Sequence, residues 1–360
     1  MTTVTKRKLT AGITLAALMG ITGCSQQSAT EATSTADTTA TSSQEVTTLR
    51  LSHFWPSTAA MHTEVVEPWA QKIAEESDGR LLVEIYPSAS LSKPDVTYDS
   101  IAKGTVDIGI QVPGYINGRF PLTQVAELPG LSNTAGQMSC MLQKLYDDGD
   151  ISSEYEDTKL LFMIGAGPSV IHSIDTAIRT PADMKGLRIR RPSDIAGNII
   201  EIAGASPVGL PASDLYTSLQ RGVIDGMSLP WSPAGSFRLT EIVNNHTNMP
   251  IYSSALLMAM NKDKYNSLPD DLKKVIDDNS GVSMAMAAGE MFDKEDSKFR
   301  AESKAKGDVM IDIPDPLNDP NWGPVLKEAT QKYLNDVEAA GLDAQGTYQK
   351  AQAASTACET

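Results

Sequence analysis

The sequence is poor in the residues that most often carry chemistry in enzymes. It has four histidines and three cysteines among 360 residues, and they are scattered along the chain. There is no His-Glu-x-x-His motif and no pair of cysteines at the spacing of metal ligands. The sequence therefore gives no support for a zinc site.

Nucleotide-binding and nucleophile motifs are also absent. Gly165-Ala166-Gly167 begins like a dinucleotide-binding fingerprint, but Val170 occupies the third glycine position and a strand pattern follows. There is no phosphate-binding loop with Lys-Ser or Lys-Thr and no Gly-x-Ser-x-Gly elbow. We therefore expect no cofactor, no metal and no enzymatic activity.

Positive charge is in the minority. The chain has 30 basic and 45 acidic residues. Three of the basic residues and none of the acidic ones lie in the first 23 positions, so the remainder carries 27 minus 45, a formal charge of −18. Such a surface argues against nucleic acid or anionic lipid as a partner.

Only one long apolar run occurs, at residues 9–22 behind a basic head at residues 6–8. It is too short for a stable membrane-spanning helix and predicts an export signal over residues 1–23. The run ends in Ile21-Thr22-Gly23-Cys24, which resembles the bacterial lipobox. We therefore predict a lipid on Cys24, and the lack of a second long run excludes a permease.

A polar segment separates this signal from the folded part. Residues 25–45 contain only Ser, Thr, Gln, Ala, Glu and Asp, so we predict a flexible tether over residues 24–45. The remaining 315 or so residues are enough for two lobes, each with its own core. Export makes a disulfide between Cys140 and Cys358 possible, and two unpaired cysteines fit the sequence equally well.

Strand and helix patterns alternate in two series along this folded part, which favours an α/β fold with a largely parallel sheet. Separate strands are predicted at residues 160–164 and 169–174, with a Gly-Ala-Gly-Pro break between them. No proline interrupts the chain between Pro269 and Lys306, which predicts one helix of nearly forty residues, long enough to brace both lobes.

An ordered set of short motifs resembles the solute-binding subunits of tripartite ATP-independent periplasmic (TRAP) transporters, of the dicarboxylate-binding type. The similarity extends from about Leu49 to the C-terminal helix. The motifs are Pro68-Trp69-Ala70, Gly104-x-x-Asp107-Ile108, Gly114-Tyr115-x-x-Gly118-Arg119-Phe120-Pro121, Glu127-Leu128-Pro129, Asp183-Met184-Lys185-Gly186-Leu187-Arg188-Ile189-Arg190, Gly204-Ala205-x-Pro207-Val208 and Tyr216-x-x-Leu219-Gln220-x-Gly222-Val223-x-Asp225-Gly226.

The resemblance implies a two-lobed clamp, like other periplasmic binding proteins, with crossing strands and a long bridging helix. We predict an N-terminal lobe from residues 46–168 and 250–290. Residues 169–249 and 291–360 then form the C-terminal lobe and bracing helices. The ligand is expected in the cleft between the lobes.

The resemblance also implies that one arginine near the end of the Arg-Ile-Arg strand binds the ligand carboxylate, and by position this is Arg190. A guanidinium suits the task because its planar donor pair matches two carboxylate oxygens. Arg191 is expected to point to the opposite face.

Further candidates follow the ends of predicted strands, where ligand sites of α/β sheets gather. They are His53, Trp55 and Tyr115, and His172 is a further candidate because it lies on the segment that crosses between the lobes. In the stretch Met227-Ser228-Leu229-Pro230-Trp231, Leu229 replaces an asparagine of sialic-acid-binding relatives. We therefore count Met227, Leu229 and Trp231 as candidates and expect a ligand with an apolar or aromatic body.

The resulting hypothesis is an extracytoplasmic lipoprotein on the outer face of the bacterial cytoplasmic membrane, or in the periplasm. It binds a small organic carboxylate and delivers it to the small and large membrane subunits of a sodium-coupled TRAP transporter. Alternatives are the binding protein of an ATP-driven importer, an exported enzyme with an unrecognised site, and a sensor.

Overall fold

The strands and helices follow the predicted alternation closely. The computed structural model describes residues 46–359, so the predicted signal, the lipidation site Cys24 and most of the tether lie outside the described residues. The strands are β1 (Thr47–Ser52), β2 (Leu81–Tyr86), β3 (Ile108–Gln111), β4 (Thr158–Ser173), β5 (Arg188–Arg191), β6 (Ser206–Gly209), β7 (Gly226–Leu229), β8 (Asn245–Asn261) and β9 (Val309–Asp312).

The α-helices surround this set of strands. They are α1 (Glu67–Glu76), α2 (Thr97–Ala102), α3 (Pro121–Val125), α4 (Ala135–Asp147), α5 (Asp194–Ile202), α6 (Leu215–Gln220), α7 (Trp231–Ser236), α8 (Lys262–Asn266), α9 (Asp270–Asp278), α10 (Val282–Lys306), α11 (Trp322–Ala339) and α12 (Ala344–Ala357). A π-helical turn, Met61–Val66, leads into α1.

All nine described strands belong to one mixed sheet in the order β2-β1-β3-β8-β4-β7-β5-β6, with β9 added beside β8. The outer strands pair in parallel, β1 with β2 and β3 at one end and β5 with β6 and β7 at the other. The two central strands β4 and β8 are antiparallel to each other. The predicted α/β fold is confirmed, with antiparallel pairing at the centre of the sheet.

Strands β4 and β8 are the crossing strands of the fold. With 16 and 17 residues, each serves both ends of the sheet. The C-terminal half of β8 pairs with β3, and the C-terminal half of β4 pairs with β7. β4 runs through the Gly-Ala-Gly-Pro segment with register irregularities between Gly165 and Pro168 and near Ile171, so the prediction of two separate strands there is wrong.

Two hydrophobic cores lie on the opposite faces of this sheet. Along β8, Leu257 and Ala259 belong to one core and Leu256 and Met258 to the other. This alternation is the period of two that a strand imposes on its side chains. The cores are thus separated by the sheet, and each one draws residues from both ends of it. The predicted lobe boundaries remain a prediction.

The predicted forty-residue helix is two helices. Between α9 and α10 the chain turns at Gly281, whose φ of +75° and ψ of −156° are strained for residues with a side chain. Asn279-Ser280-Gly281 carries the break, which helical periodicity alone did not reveal. α10, with 25 residues, is still the longest helix described.

Helix α10 uses two carboxylates, one turn apart, to hold two other helices. Asp293 accepts hydrogen bonds from the backbone N–H groups of Ala135 and Gly136 at the start of α4, at 2.7 and 2.9 Å. Asp296 accepts one from the N–H of Ser232 in α7, at 2.5 Å. Carboxylates satisfy the free N–H groups of a helix start and interact well with its dipole. α10 therefore bridges separate parts of the fold.

A disulfide joins Cys140 on α4 to Cys358 at the end of α12. The sequence left this pairing open. The bond fixes the C-terminal helix against α4, where the Gln137 side chain also donates to the carbonyl and hydroxyl oxygens of Ser355.

Candidate functional site

Arg190, on β5, is almost completely buried, with 1% of its surface exposed. Its Nε–H donates to the carbonyl oxygen of Leu210 at 2.8 Å, and Nη1–H donates to the carbonyl oxygen of Ser228 at 3.1 Å. Nη2–H donates to the Tyr115 hydroxyl at 3.2 Å. These three bonds hold the guanidinium in one orientation.

The bonding leaves Arg190 with unused donors and an uncompensated charge. A guanidinium has five N–H groups, so one remains on Nη1 and one on Nη2. All three partners are neutral oxygens, and no carboxylate among residues 46–359 forms an ion pair with Arg190. A buried cation without a counter-ion is costly. The arrangement therefore attracts an anion that accepts two hydrogen bonds.

Tyr115 supplies a third donor at the same place. It follows β3 in a short 3₁₀ turn, Pro113–Tyr115. Its hydroxyl oxygen accepts hydrogen bonds from Arg190 and from the backbone N–H of Ala212, at 3.2 and 3.1 Å. With both lone pairs occupied, the hydroxyl proton is free to donate and finds no acceptor within the described chain.

Arg190 and Tyr115 line a cavity whose other walls are mostly apolar. The aromatic lining residues are Phe54, Trp55, Tyr115 and Phe292. The other lining residues are Val112, Ala166, Arg190, Pro192, Ala212, Leu229, Pro230, Pro233, Ser254 and Leu256. Phe54 and Trp55 are stacked with ring centres 3.9 Å apart. The cavity thus combines one cation with a flat aromatic surface.

The cavity is small in this conformation. Its volume is about 40 Å³, whereas ligand pockets usually have about 300–1,000 Å³. Larger hollows occur elsewhere in the described part, among them four of about 690, 760, 450 and 490 Å³. None of these four has a buried cation, and charges of both signs line each of them. We therefore place the candidate site at Arg190, and a ligand needs the surrounding walls to move apart.

The structure brings four of the predicted site residues together, and they are Arg190, Trp55, Tyr115 and Leu229. Arg191 lines the separate hollow of about 690 Å³ and forms an ion pair with Asp194 at 2.9 Å. It is half-buried, unlike Arg190.

The other four predicted residues do not line the cavity. Met227 is fully buried in a core. His53 forms a buried pair with His62, with Nε2 and Nδ1 2.9 Å apart. His172 forms a second buried pair with His246, with the two Nδ1 atoms 2.7 Å apart.

Trp231 packs against the second histidine pair, 4.8 Å from the His172 ring and 4.6 Å from the His246 ring. Its indole N–H donates to Asn248 at 2.9 Å. Trp231 thus packs behind the cavity wall and does not line the cavity. His172 contacts this wall through its Nε2, which lies 3.1 Å from the carbonyl oxygen of Leu229.

The histidines add no positive charge to the site. Burial, assisted by neighbouring His62, lowers the pKa of His53 to about 3. Burial and then the nearby His246 lower the pKa of His172 well below its ordinary value. Both imidazoles are therefore neutral at pH 7. Arg190 is the one fully buried cation on the cavity wall.

Sequence reasoning missed several residues of the cavity. Phe54 adjoins Trp55 in the sequence, so the strand-end rule that selected Trp55 was sufficient to find it. Ser254 and Leu256 on β8 and Phe292 on α10 gave no local signal, because strand and helix periodicity mark them as ordinary core residues.

Comparison with known proteins agrees with the fold and the cavity. Residues 51–336 match the family of bacterial extracellular solute-binding proteins, family 7. A TRAP solute-binding protein from an unidentified marine microbe, specific for aromatic acids and bound to 3-hydroxybenzoate, is 32% identical. It superimposes with a TM-score of 0.81, over 88% of this chain and 100% of the other.

Two further solved structures are similar. A TRAP solute-binding protein from Rhodoferax ferrireducens with benzoate is 30% identical, with a TM-score of 0.82 over 87% of this chain and 98% of the other. One from Bordetella bronchiseptica with (R)- and (S)-mandelate is 26% identical, with a TM-score of 0.79 over 87% and 100%. No helix in the described part is both long and apolar enough to cross a membrane.

These proteins are two-lobed transport receptors and not enzymes, in agreement with the fold and the single-cation cavity. The chain belongs to the bacterial extracellular solute-binding proteins of family 7 and is a TRAP solute-binding subunit for small organic acids.

Proposed function

We propose that this protein binds a small aromatic carboxylate in the Arg190 cavity. The observation that carries the proposal is the buried guanidinium, which has two free N–H groups and no anionic partner in the described chain. A carboxylate accepts both N–H groups side by side, and such bidentate pairs are strong and directional. The free Tyr115 hydroxyl proton adds a third hydrogen bond.

The cavity wall supports an aromatic body for the ligand. Phe54, Trp55 and Phe292 offer ring faces and edges within one small space, and aromatic pairs gain about 0.5–1.5 kcal/mol beyond simple burial. Two relatives at or above 30% identity hold 3-hydroxybenzoate and benzoate. A dicarboxylate is disfavoured because the cavity lining contains a single cation.

The wider role that we propose is delivery of this acid to the membrane subunits of a sodium-coupled TRAP transporter. Family membership and the TRAP relatives support it. A lipid on Cys24, with the polar segment up to residue 45 as a tether, keeps the receptor at the membrane without a spanning helix.

Calorimetry with benzoate tests the role of Arg190. Arg190→Ala is expected to weaken binding by 2–5 kcal/mol, roughly 30-fold to several-thousand-fold, because the ligand charge stays buried without a partner. Arg190→Lys restores only part of the affinity, since an ammonium group lacks the planar fork. Arg191→Ala is the matched control, because Arg191 lines a different hollow and has Asp194 as its partner.

The folded state of each variant is checked by circular dichroism. Native affinity in a folded Arg190→Ala protein, or a larger loss in Arg191→Ala, would contradict the proposal.

The lipid anchor has its own test. Cys24→Ser removes the thiol that receives the lipid, so the protein is expected in the soluble fraction or to remain unprocessed. A single acyl chain binds a bilayer only marginally, whereas the two acyl chains of a diacylglycerol attach a protein stably. A Ser variant that is processed and membrane-bound like the wild type rules the anchor out.

A further inference from the structure

Two polar groups on the cavity wall have no partner. Trp55 and Ser254 are 3% and 7% exposed and both line the cavity. Neither side chain forms a hydrogen bond with another residue in the described chain, from 46 to 359. Neither polar atom belongs to the fully enclosed, unpaired atoms of the described residues, so each keeps some access to solvent and can bond to a molecule that fills the cavity.

The other tryptophans show how unusual Trp55 is. The chain has four tryptophans, and the other three indole N–H groups are all paired. Trp69 donates to the Asn279 carbonyl oxygen at 2.8 Å, Trp231 to Asn248 at 2.9 Å and Trp322 to the Arg179 carbonyl oxygen at 3.0 Å. Trp55, which lines the ligand cavity, is the one tryptophan whose indole N–H forms no hydrogen bond within residues 46–359.

Ser254 has an equally clear comparison in its neighbour on β8. The Ser253 hydroxyl is bonded to the Ser132 hydroxyl at 2.8 Å. Adjacent residues of a strand point to opposite faces, so Ser253 faces away from the cavity that Ser254 lines. The Ser253 hydroxyl therefore has a hydrogen-bond partner within the protein, whereas the Ser254 hydroxyl has none among residues 46–359.

The ligand carboxylate does not need these groups, because Arg190 and Tyr115 already offer it three donors. An indole N–H only donates, while a serine hydroxyl both donates and accepts. A ligand hydroxyl can accept a hydrogen bond from the Trp55 N–H, and it can donate a hydrogen bond to the Ser254 hydroxyl or accept one from it. A second carboxylate does not fit, since the wall has no second cation to neutralise it.

Granted the proposed function, we infer that the preferred ligand is an aromatic monocarboxylate that also carries a hydroxyl group, and that Trp55 and Ser254 determine this preference. A site that hydrogen-bonds a ligand hydroxyl discriminates against the analogue without it, because its own polar groups are then left unpaired.

The experiment compares 3-hydroxybenzoate and benzoate by calorimetry on four proteins. The wild type is expected to bind 3-hydroxybenzoate about tenfold more tightly. Ser254→Ala and Trp55→Phe are each expected to lower this ratio by about two- to tenfold, the usual value of one hydrogen bond. Ser253→Ala is the control and leaves the ratio unchanged.

The outcomes separate this inference from the proposed function. If the wild type binds neither acid, the proposed function fails. If it binds both equally, or if the ratio persists in Ser254→Ala and Trp55→Phe, the aromatic-acid proposal stands and the inference is overturned. Should Trp55→Phe not fold, Ser254→Ala decides alone, since the loss of one hydroxyl leaves the strand intact.

Discussion

Glu127 provides a test of how burial affects the pH dependence of stability. The residue lies just after α3 and is fully buried, and the N–H of Ala255 donates to its Oε1 at 2.9 Å. Its Oε2 has no partner among the described residues. Burial raises the pKa of Glu127 to about 8, and the hydrogen bond from the Ala255 N–H only partly opposes the rise. The carboxyl is therefore mostly protonated in the folded protein at pH 7.

The direction of the pH effect follows from proton linkage. Between its ordinary pKa of 4.5 and about 8, the folded state keeps a proton that the unfolded state releases. The stabilisation is complete below pH 4.5 and is lost as the pH rises through 8. The difference between the two pKa values corresponds to about 5 kcal/mol, at about 1.36 kcal/mol for each pKa unit.

Glu127→Gln keeps the shape and removes the titration. We expect the free energy of unfolding of the variant, relative to wild type, to rise by several kcal/mol between pH 5 and pH 9. Urea unfolding followed by tryptophan fluorescence at pH 5, 7 and 9 measures it, and other titrating groups cancel in the difference. Glu328→Gln, on the exposed face of α11, is the control and should follow the wild type. Parallel profiles for wild type and Glu127→Gln would refute the reasoning.

Three further outcomes are expected. Replacing Cys140 and Cys358 by alanine lowers the free energy of unfolding by about 2–5 kcal/mol, because the bond closes a very long loop; equal urea midpoints for the oxidised and reduced wild type would contradict this. Gly167→Ala places a Cβ in steric conflict with Asp296 Oδ2 and lowers stability by about 1–3 kcal/mol, whereas in an Asp296→Ala background the thermal midpoint changes much less. A ligand can enter only if the free protein in solution populates a state more open than this structure, so saturating benzoate is expected to reduce the radius of gyration in small-angle scattering, because ligand contacts from several walls favour the closed state; an unchanged radius at demonstrated saturation argues against a clamp.

The sequence was informative where a local pattern and a physical requirement coincide. Alternating apolar residues placed most strands, and the resemblance to the TRAP family, carried by the motif Arg188-Ile189-Arg190, pointed to the arginine that the structure shows as buried. Trp55 and Tyr115 were selected by the rule that ligand sites gather past strand ends. Each of these predictions depends on residues close together in the chain.

The predictions that failed depend on distant contacts or on a single residue. One glycine, Gly281, divides the expected long helix, although Asn-Ser-Gly is a recognisable turn signal. His53 satisfies the strand-end rule and His172 was selected on the crossing segment, but each pairs with a histidine that only the folded chain brings near. Ser254 and Phe292 reach the cavity from the crossing strand and from α10, and no local pattern distinguishes them from core residues.

The burial of every histidine leaves the outer surface of the described part without imidazole groups. His53 and His62 are 2% and 6% exposed, and His172 and His246 are 0% exposed. Immobilised nickel resins therefore find no exposed imidazole to bind on this surface, and retention of a tagged protein on such a resin is due to the tag. Reagents that acylate imidazole become probes of unfolding, because they gain access to these rings only when a buried pair separates.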